Sequence, residues 1–168
     1  MVGNWINGGW GAFLTGANTL AAILKNTGPD SEVPDPVREA VAKIWKVYIY
    51  MPITDMFGPI PYSQVGSGED AILYDSQESI YADFMKSLAD TTAVLNSNLS
   101  QGTTFADGDI IFEGDLAKWL KFGNSLRLRV AMRVSKVDAG KAQSEAEAAA
   151  NAPGGLMIDN ADNAFMKP

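Results

Sequence analysis

The amino-acid sequence predicts an all-α fold built from antiparallel helix pairs, with loops and little strand. Apolar residues recur at helical spacing in five segments, and residues that typically begin or end helices stand between those segments. The alternation of apolar and polar residues that indicates strands never lasts beyond a few residues. Short connections between helices favour antiparallel packing of neighbours in the chain.

The first helix is predicted near residues 11–26. Its apolar face comprises Phe13, Leu14, Ala17, Leu20, Ala21 and Leu24. Gly28 and Pro29 are expected to end it, because glycine favours the conformation that closes a helix and proline does not continue one.

The second helix is predicted at 35–57. Asp35 is a suitable N-cap, and Pro36 fits the first helical position, where its missing N–H costs nothing. Apolar positions then follow at spacings of four or three: Val37, Val41, Ile44, Tyr48 and Met51. Pro52 is expected to kink the helix near its end.

Three further helices are predicted near 76–96, 115–135 and 139–151. Asp75 and Glu78 form a capping-box-like start for the third helix, and Asp115 is the expected N-cap of the fourth. Residues 110–112 suggest a short extended stretch, and 153–155, Pro-Gly-Gly, should end the fifth helix.

The chain is predicted to be a single helical segment, 1–168, because 168 residues correspond to about one domain. Its helix–turn–helix units, of about 34 residues, are also compatible with tetratricopeptide-like stacking of helix pairs.

Composition restricts the function. The chain has 20 acidic and 13 basic residues, a net charge of −7, which argues against nucleic-acid binding. It has no His and no Cys, so it lacks the commonest general base, any thiol nucleophile and any thiolate metal site. These absences favour a binding protein over an enzyme, and we expect no catalytic residues, no cofactor and no metal.

The residues before the first helix suggest a ligand site. Trp5, Asn7 and Trp10 lie in a stretch rich in Gly and Asn. Flat aromatic rings stack on the C–H faces of sugars, while amides bond to the hydroxyls, so these three residues are candidates for oligosaccharide binding. The alternative is that the indoles pack at the front of the first helix.

A second candidate is the loop that contains Asp55, Gly58, Pro61 and Tyr62. Gly and Pro residues shape turns more often than they bind ligands, so we interpret it as a structural loop that sets the angle between two helices. Asp55 is unfavourable at a helix C-terminus and should have a partner, for which a backbone N–H of the turn is the first candidate.

The fourth helix carries a basic face made of Lys121, Arg127, Arg129, Arg133 and Lys136. These residues are expected to pair with neighbouring acidic side chains, although an anionic partner is the alternative. A calcium loop across 107–115 fails, because Ile111 occupies a ligand position. Side-chain oxygens in 159–163 are a weaker alternative for a metal.

Four segments from Asp35 onward resemble the SusD/RagB family. They read KIWKVYIYMPITDMFGPIPYSQV, YDSQESIYADFMKSLADTTAVL, DLAKWLKFGNSLRLRVAMRVSKVD and GGLMIDNADNA. The first contains an Asp-x-x-Gly-x-x-Pro-Tyr loop that begins at Asp55. The third is the most specific and combines Trp119, Asn124, Ser125, Leu126, Arg129 and Arg133.

This resemblance implies a tetratricopeptide-like (SusD-type) scaffold in a lipid-anchored nutrient-binding protein, exposed at the surface of the outer membrane. The implied activity is not catalytic: such proteins capture oligosaccharides, or in some members peptides, for a SusC-like TonB-dependent transporter. The alternative is a tetratricopeptide-like protein-interaction scaffold. The family's lipid-bearing Cys does not occur in this sequence. Family members are also much longer, so we expect a scaffold segment whose lipid anchor lies outside it.

Overall fold

The structure of the protein, a computed structural model, describes residues 2–69, 71–102, 104–105 and 108–166, with side chains from Gly9 onward. Its α-helices are α1 (Val2–Thr27), α2 (Pro36–Phe57), α3 (Gln77–Ser97), α4 (Leu116–Arg133) and α5 (Ala139–Ala150). Two short strands, β1 (Ile60–Pro61) and β2 (Tyr74–Asp75), pair in antiparallel fashion. The predicted all-α fold is therefore confirmed.

The predicted start of the first helix is wrong. The helix was expected from residue 11, yet α1 already begins at Val2 and runs through Gly9 and Gly11. Glycine costs about 1 kcal/mol in a helix, but tertiary packing overrides such preferences. Here Trp10 and Phe13 pack against rings on α2, which stabilises the first turns of α1.

The predicted caps are confirmed for two helices. Asp35 accepts hydrogen bonds from the N–H groups of the second and third residues of α2, and Asp115 does the same for α4. The predicted cap of α3 is wrong, because Ser76 caps it by accepting from the N–H of Ser79. Asp75 belongs to β2 instead. The helix α2 continues through Pro52 to Phe57.

Residues 110–112 are not extended, which corrects a further expectation. They form a turn, because the carboxylate of Asp109 accepts hydrogen bonds from the N–H groups of Ile111, Phe112 and Gly114. A side chain that binds three backbone donors of its own loop stabilises a turn rather than a strand.

Consecutive helices pack against one another in antiparallel fashion. Phe57, at the end of α2, lies 5.1 Å from Trp10 near the start of α1, measured between ring centroids. Asp55, also near the end of α2, bonds to Tyr81 at the start of α3 and to Arg133 at the end of α4. The most deeply buried side chains form one core: Ile44, Tyr50, Ile60, Ile80, Phe84, Leu88, Leu95, Leu116, Leu120 and Val130.

Three helices meet closely at Gly123 in the middle of α4. A Cβ atom at this position would stand 2.8 Å from Cγ2 of Thr92 on α3 and 3.0 Å from Cδ1 of Ile44 on α2. Only glycine fits here without a shift of the neighbours. Among the described residues, no helix is both long enough and apolar enough to cross a membrane.

Candidate functional site

The predicted aromatic site falls partly outside the described side chains. The side chains of Trp5 and Asn7 are outside the described part of the structure, so their role in ligand binding stays a prediction. Trp10 is half-buried: its ring centroid lies 5.4 Å from that of Phe13 and 5.1 Å, edge-on, from that of Phe57. The indole thus stabilises the contact between α1 and α2, and its exposed part is the remaining surface for stacking on a ligand.

The loop after α2 has a defined geometry. Gly58 ends the helix with φ +73°, in the left-handed region that favours glycine, and donates its N–H to the carbonyl of Thr54 at 2.8 Å. The hydroxyl of Thr54 donates in return to the carbonyl of Gly58 at 2.7 Å. Pro61 then pairs with Tyr74 in the two-stranded sheet. These contacts fix the path of the chain from α2 towards α3.

Asp55 has partners on two other helices. Its Oδ1 accepts a hydrogen bond of 2.5 Å from the hydroxyl of Tyr81, and its Oδ2 binds the guanidinium of Arg133. The expected need for a partner is confirmed, but the expected backbone N–H partner is wrong. Two causes raise the pKa of Tyr81 well above its usual value: burial, which is the larger, and the hydrogen bond to Asp55. The carboxylate therefore joins α2, α3 and α4.

Tyr62 lies at the centre of a polar cluster that the sequence did not reveal. Its buried hydroxyl donates to the carboxylate of Asp83 on α3, and the ammonium of Lys46 lies 3.8 Å above its ring centroid. Burial and this hydrogen bond raise the pKa of Tyr62 strongly. Burial also lowers the pKa of Lys46, and the charge of Asp83 partly opposes this change. The only signal in the sequence is a lysine at the edge of the apolar face of α2.

The basic face of α4 is mostly paired, as predicted. Arg127 donates through Nε and Nη2 to Glu145 on α5, at 2.9 and 2.7 Å, and Lys121 reaches Asp162 at 2.7 Å. Arg133 pairs with Asp55. Arg129 and Lys136 are exposed. The three pairs hold α4 against its neighbours in the fold.

The carboxylates around Asp109 and in 159–163, which suggested a metal site in the sequence, accept hydrogen bonds from backbone and side-chain donors. Asp109 accepts from three N–H groups and from the indole of Trp119, and Asp162 accepts from Lys121 and from the N–H of Ile158. Asp159 accepts from the N–H of Ala161. Within the described ranges, no group of three acidic side chains could hold a metal ion.

The segment after α5 is fastened to α4 by two adjacent polar side chains. The fully buried Asn124 donates through Nδ2 to the carbonyls of Pro153 and Gly155, at 2.9 and 3.0 Å. Ser125 accepts from the N–H of Met157 at 2.8 Å. The segment around Asn124 and the segment that begins at Gly154 are therefore bound to each other.

A largely apolar groove of about 260 Å³ opens beside the loop that precedes α4. Its lining includes Trp45, Trp119, Phe105, Ile111 and Met166. The carboxylate of Asp109 at its edge is already occupied by its four donors, so the groove offers rings and methyl groups. Trp45 also stacks on Tyr48, at 4.9 Å between ring centroids and 23° between planes, and Tyr48 is 41% exposed.

Solved structures share this fold. A SusD homologue from Bacteroides uniformis is 38% identical, with a TM-score of 0.79 over 90% of this chain and 30% of its own. A chitin-binding SusD homologue from Flavobacterium johnsoniae is 34% identical, with a TM-score of 0.82 over 91% of this chain and 32% of its own. A SusD homologue from Parabacteroides distasonis is 31% identical, with a TM-score of 0.81 over 96% and 31%.

This chain thus spans about 30% of the length of these solved relatives. No curated protein sequence matches it. The model of one protein family, described as SusD and RagB outer membrane lipoproteins, matches residues 1–168. With its helical fold and its similarity to SusD homologues, the chain belongs to the SusD-like family.

Proposed function

We propose that this chain is the helical scaffold part of a non-catalytic protein of the outer-membrane surface that captures oligosaccharides for uptake. The observation that carries the proposal is the match of the SusD-like family to the whole chain, residues 1–168. The similarity to a chitin-binding SusD homologue supports a glycan as the ligand class.

The state of the acidic side chains supports binding rather than hydrolysis. A glycosidase needs two carboxyl groups that face the scissile bond from opposite sides. In this structure Asp55, Asp75, Asp83, Asp109 and Asp162 all accept hydrogen bonds that hold the fold together. These five carboxylates therefore serve the packing of the fold.

The ligand contacts in this proposal come from the aromatic segment at the start of α1. Trp5 and Trp10 would stack on sugar rings, and Asn7 would bond to hydroxyls. A peptide is the alternative ligand, because the same rings and amide accept an extended backbone.

Calorimetric titration of the chain with chitotetraose, maltotetraose and a peptide mixture tests the proposal. We expect binding of at least one glycan, and Trp10→Ala should weaken it about tenfold or more, whereas Tyr74→Ala, at an exposed site on β2, should not. Because Trp10 also packs on Phe57, Asn7→Ala provides a second variant that leaves this ring contact intact. Absence of binding to every glycan would overturn glycan capture by this chain.

The partner in this proposal is a SusC-like TonB-dependent transporter, and attachment to the outer membrane is through a lipid anchor, as in lipoproteins generally. A protein-interaction scaffold without ligand capture is the second candidate, which the exposed apolar side chains at the end of α4 favour. Met132 is 57% exposed and Val137, just beyond the helix, is 90% exposed. Co-purification with the transporter that survives Trp10→Ala but fails with Met132→Lys would favour it.

A further inference from the structure

A cavity of about 200 Å³ lies between α1, α2 and the loop that follows β1. One wall is apolar and belongs mostly to α1: Ala17, Leu20, Ala21, Leu24 and Val65. The other wall carries Lys46 and Tyr50 of α2, with Tyr62 and Ser63 of the loop. Pockets for drug-sized ligands measure about 300–1,000 Å³, so this cavity suits a smaller group, such as one sugar ring.

Two donors on the polar wall have no bonding partner among the described residues. Neither the ammonium of Lys46 nor the hydroxyl of Tyr50 forms a hydrogen bond or an ion pair there, although the ammonium contacts the face of Tyr62. Burial raises the pKa of Tyr50 to about 12, so its hydroxyl keeps its proton at neutral pH and can donate. Buried polar groups usually have a hydrogen-bond partner. These two donors are therefore available to bond to acceptor atoms of a ligand.

The charges around the cavity do not favour an anionic ligand. Asp83 and Asp75 are near enough to favour the charged form of Lys46, and both are occupied, Asp83 by the hydroxyl of Tyr62 and Asp75 by Ser63. Lys46 is itself a cation, but these two negative charges and the net charge of −7 offset its attraction for a carboxylate or phosphate. The ligand that fits is neutral and carries several acceptor oxygens.

A pyranose sugar is neutral and has several acceptor oxygens, because hydroxyl groups surround its apolar C–H face. We propose that the cavity binds the end unit of a neutral oligosaccharide, with Lys46 and Tyr50 donating to its oxygens and Leu20, Leu24 and Val65 covering its C–H face. This inference rests on the proposed function, and it places a sugar subsite on the helical scaffold, apart from Trp5, Asn7 and Trp10.

Amide spectra of the isotope-labelled chain, titrated with methyl β-glucopyranoside and methyl N-acetyl-β-glucosaminide, test the site. We expect saturable shifts at Leu24, Ser63 and Val65. Lys46→Met should weaken binding about tenfold and Tyr50→Phe, which keeps the ring, a few-fold. Lys43→Met is the matched control: Lys43 pairs with Glu39 and does not line the cavity, so affinity should not change. Circular dichroism confirms that each variant is folded.

Each other outcome has a defined meaning. If glucuronate bound more tightly than methyl glucoside, the proposal that the cavity takes a neutral sugar would be overturned. If chitotetraose or maltotetraose binds the chain in calorimetry but Lys46→Met leaves its affinity unchanged, the cavity is not the subsite and the proposed function stands. If no glycan binds the chain at all, both the subsite and glycan capture by this chain are overturned.

Discussion

The indole N–H of Trp119 donates a hydrogen bond of 2.6 Å to the carboxylate of Asp109, ten residues earlier in the chain. Asp109 is only 9% exposed, and its carboxylate also accepts hydrogen bonds from three backbone N–H groups of its own loop. Trp119 in turn packs edge-on against Trp45 of α2 and against Phe122. One acidic side chain thus connects the loop before α4 to the aromatic part of the core.

Removal of this carboxylate should destabilise the protein strongly. Asp109→Ala leaves four donors without their acceptor, three of them in buried hydrogen bonds, and we expect it to lower the free energy of unfolding by about 2–4 kcal/mol. Trp119→Phe, which removes the indole donor, should cost about 1–3 kcal/mol. Urea denaturation measures both, with Asp90→Ala on the exposed face of α3 as a control that should change stability by less than about 1 kcal/mol. A change for Asp109→Ala as small as the control would contradict this role.

The close approach of three helices at Gly123 predicts a size limit. Gly123→Ala should cost about 1–3 kcal/mol, because the new methyl group meets Thr92 and Ile44. The double variant with Thr92→Ser, which removes the clashing methyl group, should recover part of this loss in thermal unfolding. Gly140→Ala is the control: it lies near the start of α5 with only a side-chain oxygen 3.7 Å away, so it should be neutral or stabilising. Equal effects at Gly123 and Gly140 would show that the packing is looser than described.

Asn124 should hold the segment after α5 in place. Asn124→Ala removes two hydrogen bonds to the carbonyls of Pro153 and Gly155, and we expect a loss of about 1–3 kcal/mol together with faster hydrogen exchange at the amide of Met157. Ser125→Ala, which deletes the acceptor of that amide, should accelerate exchange there with a smaller loss of stability. Gln143→Ala on the exposed face of α5 is the control. Unchanged exchange at Met157 in Asn124→Ala would argue against the anchoring role.

The buried tyrosines predict a loss of stability in alkali. The pKa of Tyr50 is about 12 in the folded protein, whereas a tyrosine in the unfolded chain titrates near pH 10. Between about pH 10 and 12 the unfolded chain therefore loses a proton that the native state retains, so the free energy of unfolding falls as pH rises. The raised pKa values of Tyr62 and Tyr81 act in the same direction.

Denaturation of the wild type and Tyr50→Phe at pH values from about 8 to 12 measures this effect. The phenylalanine variant should lose less stability than the wild type above about pH 10, because it has no hydroxyl to titrate at this position. A constant difference between the two proteins over the whole range would mean that Tyr50 does not contribute to the pH dependence.

The helices could be predicted where their signals are local. Asp35 with Pro36, and Asp115 alone, mark the starts of α2 and α4 because the cap bonds to residues two or three positions away. The start of α1 could not be predicted in this way. Gly8 and Gly9 oppose a helix locally, and the contact of Trp10 with Phe57 that supports it joins residues far apart in the chain.

The polar contacts of the site show the same limit. The sequence indicates that Asp55 needs a partner, but Tyr81 and Arg133 lie 26 and 78 positions away, and only the packing of α3 and α4 brings them to it. Lys46, Tyr62 and Asp83 likewise come from α2, a loop and α3. Spacing along one helix does not predict which charged residue of another helix will face it.

The contact at Gly123 also bears on how this family can change over time. Residues 44, 92 and 123 share one small volume, so a larger side chain at any of them requires a smaller one at another. Evolutionary drift at these three sites should therefore be correlated across homologues, even though they lie on three different helices. Substitutions at the exposed positions of α5 have no such linkage and should vary independently.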